Sequence, residues 1–211
     1  MSERAEPMTS EVYDRRLLRG ARTRGTITRH AVDVASLEGL NGLSLGRLAT
    51  DLGLSKSGIQ TLFKTKENLH LATAEAARER FLDAVVLPVQ DVPHGIARLR
   101  ALVERWIDYA EAPLFPGGCF WVANLADFDS RPGPVRDALA RHHQDWLSLL
   151  ADELRHAMTE DEIADLDAEL AAFQIDAVLT AANTALRLGD EDAVTKVRRA
   201  LEGLLPPRHR P

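Results

Sequence analysis

The 211-residue sequence is poor in cysteine and in aromatic residues, and these shortages exclude several classes of protein. Its single cysteine, Cys119, cannot form an internal disulfide, and no Cys/His spacing suggests a structural zinc site. No apolar stretch reaches the roughly 18 residues that a membrane-spanning helix needs. Residues 1–20 also lack the apolar region of a secretory signal peptide. We therefore expect a cytoplasmic protein with no membrane segment, no metal ion and no cofactor.

Charge is distributed unevenly along the chain. Residues 1–66 carry 11 basic and 7 acidic side chains, whereas the remainder carries 15 basic and 25 acidic side chains. A basic first part followed by an acidic body indicates that the first part contacts a polyanion such as DNA. Random scatter over 66 residues would explain the same excess, so charge alone does not decide between the two interpretations.

Hydrophobic periodicity predicts an all-α fold of about nine helices, because apolar residues recur at helical spacing and no useful stretch alternates as a β-strand does. The first helix is predicted from Ile27, with Ile27, Ala31, Val34 and Ala35 on one face and Gly39 ending it. Ser44, Ser55 and Thr65 are predicted N-caps of the second, third and fourth helices, and Pro93 is expected in the first turn of the fifth. The last two helices are predicted at about 161–188 and 190–205.

The same pattern divides the chain into four parts. Residues 1–23 carry arginines without an apolar period, which predicts a flexible basic arm. Residues 24–70 are predicted to form an N-terminal helical domain, to which the motif described next assigns DNA binding. Residues 71–205 are predicted to form a helical body, to which the family resemblance and the residue patterns described below assign ligand binding and dimerisation. Residues 206–211 form the predicted tail.

The segment Leu45–Leu62 has the pattern of a helix-turn-helix. Ala49 is a small residue at the point where two steeply crossing helices approach, and Gly53 allows the positive φ of the tight turn. Apolar residues at the required spacing pin the two helices together, namely Leu48, Leu52, Leu54, Ile59 and Leu62. The alternative is an ordinary three-helix arrangement that binds nothing.

The polar side chains left outside this packing are the candidate DNA contacts. Short or cationic side chains suit a major groove about 12 Å wide. We expect the serines and lysines to bind phosphates, Gln60 to contact adenine, and the Thr61 methyl group to touch thymine. Ordinary surface polarity is the alternative interpretation. The candidates are Thr26, Ser44, Arg47, Ser55, Lys56, Ser57, Gln60, Thr61, Lys64 and Lys66.

Three stretches together resemble the N-terminal domain of the tetracycline-repressor (TetR/AcrR) family of bacterial transcriptional regulators. They are Ile27–Val34, SLGRLATDLGLSKSGIQTLF (Ser44–Phe63) and KTKENL (Lys64–Leu69). The resemblance implies a homodimer that binds a double-stranded operator, with a helical body whose small-molecule effector releases the DNA. Gln60 departs from the family pattern, because an aromatic residue that contacts phosphate is common there. The operator sequence therefore cannot be inferred from better-known relatives.

The body offers a candidate pocket for such an effector. Apolar walls with a few polar groups are typical of small-molecule cavities, although such a stripe is also typical of a plain core. Cys119 is expected to act as a small buried side chain, and the adjacent His142 and His143 are expected to face different sides of their helix. The candidate ligand-binding residues are Trp106, Tyr109, Cys119, Phe120, Trp121, Asn124, Phe128, His142 and Trp146.

Small apolar residues in the last two helices predict a dimer interface, because they permit close approach of helices. The alternative is that this stripe is intramolecular core. The predicted interface residues are Ala168, Ala171, Ala172, Ile175, Val178, Leu179, Ala182, Val194, Val197 and Leu201.

Two other functions remain open at this point. One is a DNA-binding structural factor of the same fold that has no effector. The other is a helical enzyme that uses Cys119 or His142, but no nucleophile–base–orienter set supports it, so no catalytic residue is predicted.

Overall fold

The computed structural model describes residues 10–205, with side chains from residue 18 onward. Within this range the chain forms α-helices and no β-strand, as the sequence predicts. None of the helices described is long and apolar enough to cross a membrane. The helices are α1 (Ser10–Glu38), α2 (Leu45–Leu52), α3 (Lys56–Phe63), α4 (Lys66–Phe81), α5 (Ile96–Glu111), α6 (Phe120–Phe128), α7 (Pro134–Thr159), α8 (Ala168–Arg187) and α9 (Ala193–Leu204).

Helix α1 begins much earlier than its apolar pattern predicts. Residues 10–23, predicted as a flexible arm, form its first turns. Arginine, leucine and alanine are strong helix formers, so the helix extends through this segment without an apolar period in the sequence. The Thr23 hydroxyl donates to the carbonyl of Arg19 at 3.0 Å and stays within the helix. Residues 1–9 of the predicted arm and the predicted tail lie outside the described residues.

Three other helix boundaries also differ from the predicted ones. After α4 the chain continues through a π-helical turn, Leu82–Val86, and a 3-10 turn, Leu87–Val89. Helix α5 begins at Ile96 rather than near Pro93, because Gly95 has a φ of 96°. Helix α8 begins at Ala168, where the Asp167 carboxylate accepts a hydrogen bond from the N–H of Leu170.

The helices form an N-terminal unit that rests on a larger helical body. The C-terminal half of α1 packs against α2, α4 and α6, while α7 packs against α4, α5, α6 and α8. The predicted buried face of α1 is confirmed, since Ile27, Ala31, Val34 and Ala35 are all buried. One hydrophobic core runs from α1 to α9.

The small-residue stripe of α8 faces the chain's own core, which is the alternative that the sequence left open for these residues. Short side chains let α8 lie close to α7 and α5, so the property that suggested a partner serves internal packing instead. Val178 and Leu201 are half-buried. The other predicted interface residues are buried within the single chain: Ala168, Ala171, Ala172, Ile175, Leu179, Ala182, Val194 and Val197.

Candidate nucleic-acid interface and internal cavity

Helices α2 and α3 form the steep pair that the sequence predicts. Gly53 joins them in the left-handed conformation, with a φ of 62°. Leu48, Ala49 and Ile59 are buried between the helices and α1. Leu54, predicted to pin the pair, is instead 38% exposed because it lies in the turn.

Hydroxyl caps fix the starts of α2, α3 and α4, as predicted. The Ser44 oxygen accepts from the N–H of Arg47 at 3.1 Å, and the Ser55 oxygen accepts from the N–H of Gly58 at 3.1 Å. The Thr65 oxygen accepts from the N–H of Asn68 at 3.0 Å. A capping serine keeps its own O–H as a donor, so Ser44 and Ser55 can still bind a phosphate.

The outward face of α3 is polar and exposed, as predicted: Ser55, Lys56, Ser57, Gln60, Thr61 and Lys64. Some of these side chains bond to their own helix. The Thr61 hydroxyl donates to the carbonyl of Ser57 at 2.9 Å, and the Gln60 amide donates to the carbonyl of Lys64. The Gln60 amide has two N–H donors, so this bond engages only one of them.

The remaining candidate DNA contacts are already engaged to different degrees. Arg47 forms ion pairs with Glu38 and Asp51, and the hydrogen bond to Glu38 raises the pKa of its guanidinium group. Lys66 Nζ donates to the carbonyl of Asn41 at 3.1 Å, and the Thr26 hydroxyl donates to the carbonyl of Arg22 at 3.1 Å. Among these three, Lys66 alone presents a cation without an ion pair in the described part of the chain.

One residue that supports this interface was missed by sequence reasoning. Arg24 donates from Nη1 to the carbonyl of Leu62 at 2.9 Å, and its guanidinium lies 4.5 Å from the ring centre of Phe63. It therefore ties α1 to the end of α3. Helical periodicity around Arg24 carries no signal for this contact, because the partner lies 38 residues along the chain.

A cavity of about 380 Å³ lies in the helical body, between the end of α4 and helices α5 to α8. Its walls include Trp106, Trp121 and Trp146, which are all three tryptophans of the sequence. Cys119 and His142 also line it. Its volume falls within the range of roughly 300–1,000 Å³ that small-molecule sites occupy.

The other four predicted ligand-binding residues lie away from the cavity walls. Tyr109 accepts a hydrogen bond at its hydroxyl from the N–H of Phe120, at 3.1 Å, and both side chains are buried in the core. Phe128 packs edge-on against His70. Asn124 bonds to the backbone of α1. These four residues have the composition that is typical of a cavity wall, but their contacts are with neighbouring helices: Tyr109 of α5 with α6, Phe128 with α4, and Asn124 with the end of α1.

The adjacent residues His142 and His143 both line the cavity, although they contact different helices. His142 Nε2 lies 3.4 Å from Glu75 of α4, whereas His143 Nε2 lies 2.8 Å from Asp176 of α8. They do face different helices, as predicted, but the cavity lies between those helices and both histidines line it. Asp176 raises the pKa of His143, while burial lowers the pKa of His142.

The cavity also has walls that sequence reasoning missed. Arg78 and Phe81 come from α4, and Phe173, Asp176 and Thr180 come from α8. The amphipathic pattern shows that these helices have a buried side. It does not show where two packed helices are far enough apart to leave a cavity between them. The edge-to-face contacts of Phe81 with Trp121 and Trp146, at 5.3 and 5.5 Å, form one end of that space.

The thiol of Cys119 is not arranged as a nucleophile. Burial raises its pKa, so the thiol stays protonated near neutral pH. Its backbone N–H donates to Asn183 Oδ1 at 2.9 Å, which fixes the start of α6 against α8. The position is typical of a small buried side chain, as the sequence analysis expects.

Helix α6 joins the cavity to the DNA-binding unit. Trp121, Val122 and Leu125 line the cavity, whereas Asn124 on the opposite side is fully buried against α1. Asn124 Oδ1 accepts from the N–H of Leu40 at 2.6 Å, and its Nδ2 donates to the carbonyls of Ala35 and Phe120. A displacement of α6 must therefore move the end of α1 or break these bonds.

Comparison with known proteins agrees with this geometry. The family model described as the tetracyclin repressor-like C-terminal domain matches residues 95–201, which is just over half of the chain. The chain belongs to this family. No curated protein sequence matches it significantly.

Solved structures of TetR-family regulators share its fold. A TetR transcriptional regulator from Chloroflexus aurantiacus is 24% identical, with a TM-score of 0.77 over 88% of this chain and 93% of that one. A TetR-family regulator from Streptomyces coelicolor is 21% identical, with a TM-score of 0.73 over 88% and 94%. AibR, solved with isovaleryl coenzyme A and operator DNA, is 18% identical, with a TM-score of 0.67 over 86% and 99%.

Proposed function

We propose that this TetR-family regulator is a homodimeric, sequence-specific repressor whose operator is released when a small molecule enters the cavity. The observation that carries the proposal is the double role of α6. Its residues line the cavity on one side and hold α1 through Asn124 on the other. A ligand that moves α6 therefore changes the position of the helix-turn-helix.

The exposed face of α3 supplies the DNA contacts in this proposal. Lys56, in the first turn, binds phosphate, and Gln60, one turn later, contacts a base. Residues 24–70 carry this unit and residues 71–205 carry the ligand site and the dimer contact, as the sequence analysis expects. AibR, whose structure holds both a coenzyme A thioester and operator DNA, offers a precedent for the pairing of these two sites in this fold.

The dimer contact in this proposal uses the outer face of α8. Leu170, Phe173 and Leu188 are 52%, 61% and 83% exposed, and Ala177 and Ala181 are exposed between them. These residues recur at helical spacing, so they form one apolar stripe on a surface that is otherwise polar. A stripe of this kind is self-complementary across a two-fold axis.

Fluorescence anisotropy tests the DNA-binding part of the proposal. The probe is DNA from upstream of the protein's own gene, compared with a scrambled duplex of equal length at two salt concentrations. We expect tight, sequence-dependent binding. Equal binding to both duplexes would contradict the repressor proposal and favour a structural DNA-binding factor.

Two matched variants separate the roles of the α3 side chains. Lys56→Ala is expected to weaken binding to all sequences and to reduce the salt slope by about 1, because one phosphate contact is lost. Gln60→Ala is expected to relax base preference at one position, at a cost of about 1–3 kcal/mol for the preferred operator. Equal effects of both variants on every sequence would contradict this division of roles.

A further inference from the structure

Three buried nitrogen atoms in the cavity walls lack a hydrogen-bond partner in the described part of the protein. They are Nε1 of Trp121, Nε1 of Trp146 and Nδ1 of His142. An unpaired buried polar group costs free energy, so such groups normally find a partner. All three side chains line the same cavity, which makes a bound molecule the natural source of that partner.

The three side chains are close neighbours. The rings of Trp121 and His142 meet edge-to-face with centroids 6.4 Å apart. His142 and Trp146 lie one turn apart on α7, and Phe81 contacts both tryptophans. The three unpaired nitrogens therefore belong to one cluster of rings at the cavity.

The chemistry of the nitrogens defines that polar group. An indole N–H only donates, so Trp121 and Trp146 require an acceptor. Burial lowers the pKa of His142, which is therefore neutral near pH 7. Its Nε2 lies 3.4 Å from a carboxylate oxygen of Glu75, and we assign the ring hydrogen to Nε2 on this ground, which leaves Nδ1 as an acceptor that requires a donor. A hydroxyl group has one donor and two acceptor positions, which matches this set.

The charged residues at the cavity pair with one another. Arg78 lies 3.5 Å from Asp145, and His143 lies 2.8 Å from Asp176. A charged ligand would lose its hydration without gaining an unpaired opposite charge, so the site favours a neutral molecule. The aromatic rings of Phe81, Trp106 and the two other tryptophans suit a flat or cyclic apolar body.

We propose that the cavity binds a neutral ring compound that carries a hydroxyl group, a phenol or a cyclic alcohol. The hydroxyl accepts hydrogen bonds from Trp121 and Trp146 and donates one to His142. This inference rests on the proposed function, in which the cavity is the effector site, and specifies the chemical class of the effector.

Isothermal titration calorimetry of the full chain with a matched series tests the proposal. The probes are 4-ethylphenol, ethylbenzene, 4-ethylanisole, 4-ethylbenzoate and 4-ethyl-N,N,N-trimethylanilinium. We expect 4-ethylphenol to bind at least about tenfold more tightly than each of the others, because each of them leaves at least one nitrogen unpaired or brings a charge. Tighter binding of either ion, equal binding of ethylbenzene, or no binding of 4-ethylphenol would overturn the proposal.

Variants assign the preference to particular atoms. Trp121→Phe and Trp146→Phe are each expected to reduce the advantage of 4-ethylphenol over ethylbenzene severalfold. Trp106→Phe is the matched control, since its indole lines the same cavity but its nitrogen is not among the unpaired atoms. His142→Phe is expected to abolish the advantage of the phenol over its methyl ether. An equal loss in all four variants would overturn the assignment, and circular dichroism checks that each variant folds.

The anisotropy measurement distinguishes this inference from the proposed function. Failure of the ligand-free protein to discriminate its operator would contradict the repressor role while leaving the calorimetric preference intact. Operator binding without a preference for the phenol would overturn the ligand class alone.

Discussion

Asn124 connects α6, which lines the cavity, to the end of α1 in the DNA-binding unit. Its side chain is fully buried, and both ends of its amide are bonded to backbone groups of the α1 end and of α6. The Ala35 carbonyl also accepts a hydrogen bond from the N–H of Gly39 at 3.0 Å, and the Phe120 carbonyl lies within the α6 helix, so a shorter side chain would leave the buried Leu40 N–H unpaired.

Asn124→Ala is therefore expected to lower the free energy of unfolding by about 1–3 kcal/mol, since the buried N–H of Leu40 loses its partner. Urea denaturation followed by circular dichroism measures this. Asp127→Ala is the matched control, because Asp127 bonds to Asn41 at 2.9 Å on the exposed side of the same helix. A loss in the control as large as in Asn124→Ala would contradict the role assigned to burial.

His70 gives the protein a defined sensitivity to acid. Burial, followed by the positive charge of Lys66, lowers the pKa of His70 to about 4. The unfolded chain binds this proton near the ordinary histidine value of about 6.5, so stability is lost as the pH falls from there toward 4, by up to roughly 1.4 kcal/mol per pH unit.

His70→Phe removes this contribution and keeps a ring against Phe128. We expect the variant to lose less stability than the parent protein between pH 7 and pH 5, as measured by urea denaturation at each pH. Equal pH dependence of the two proteins would show that His70 does not titrate in this window.

At the scale of the helices, the sequence predicts boundaries that depend on neighbouring residues, but not boundaries that depend on residues far along the chain. The caps Ser44, Ser55 and Thr65 and the turn at Gly53 were predicted correctly, because each is decided by a few neighbouring residues. The start of α5 was not. It depends on Glu153 and Glu162, which accept from the N–H groups of Gly95 and Ile96 and lie far along the chain.

When a helix has apolar residues on two faces, hydrophobic periodicity does not show which face packs inside its own chain and which is left for a second chain. In α8 the small residues named from the sequence are buried in the chain's own core, whereas Leu170 and Phe173 are exposed, and Phe173 also lines the cavity. The cavity shows the same limit, since Trp121 and Asn124 are near neighbours on α6 and yet only Trp121 lines it. The residue composition identified helices that line the cavity, but it did not distinguish the side of α6 that lines it from the side that packs elsewhere.

Gly117, in the loop before α6, lies so close to α1 that a side chain would not fit. A Cβ atom on Gly117 would lie 1.9 Å from the carbonyl oxygen of Ser36, inside the backbone of α1. The N–H of Gly117 donates a hydrogen bond to the Ser36 hydroxyl at 2.9 Å, which holds the loop in this position. The loop before α6 thus touches α1 directly and provides a second contact beside Asn124.

At the scale of the whole molecule, the exposed α8 stripe determines the expected assembly. Two helix-turn-helix units reach successive major grooves only when two chains associate, because half-sites lie about 34 Å apart. Leu170, Phe173 and Leu188 are the large apolar groups that such a contact would cover.

Leu170→Glu is expected to shift the protein from dimer to monomer, because two carboxylates would face one another in an apolar contact. Sedimentation velocity at micromolar concentration measures the shift. Leu87→Glu is the control, because Leu87 is 50% exposed but lies in the 3-10 turn after α4, outside the stripe. Dimers that persist in Leu170→Glu and dissociate in Leu87→Glu would place the contact elsewhere.

The position of the tryptophans has a practical consequence for spectroscopy. All three surround one cavity in the helical body, so ultraviolet emission excited at 295 nm originates from that half of the molecule alone. The helix-turn-helix contains no tryptophan and contributes no such emission. A denaturation curve followed by tryptophan emission thus describes the body, and its divergence from a circular dichroism curve would measure how independently the DNA-binding unit melts.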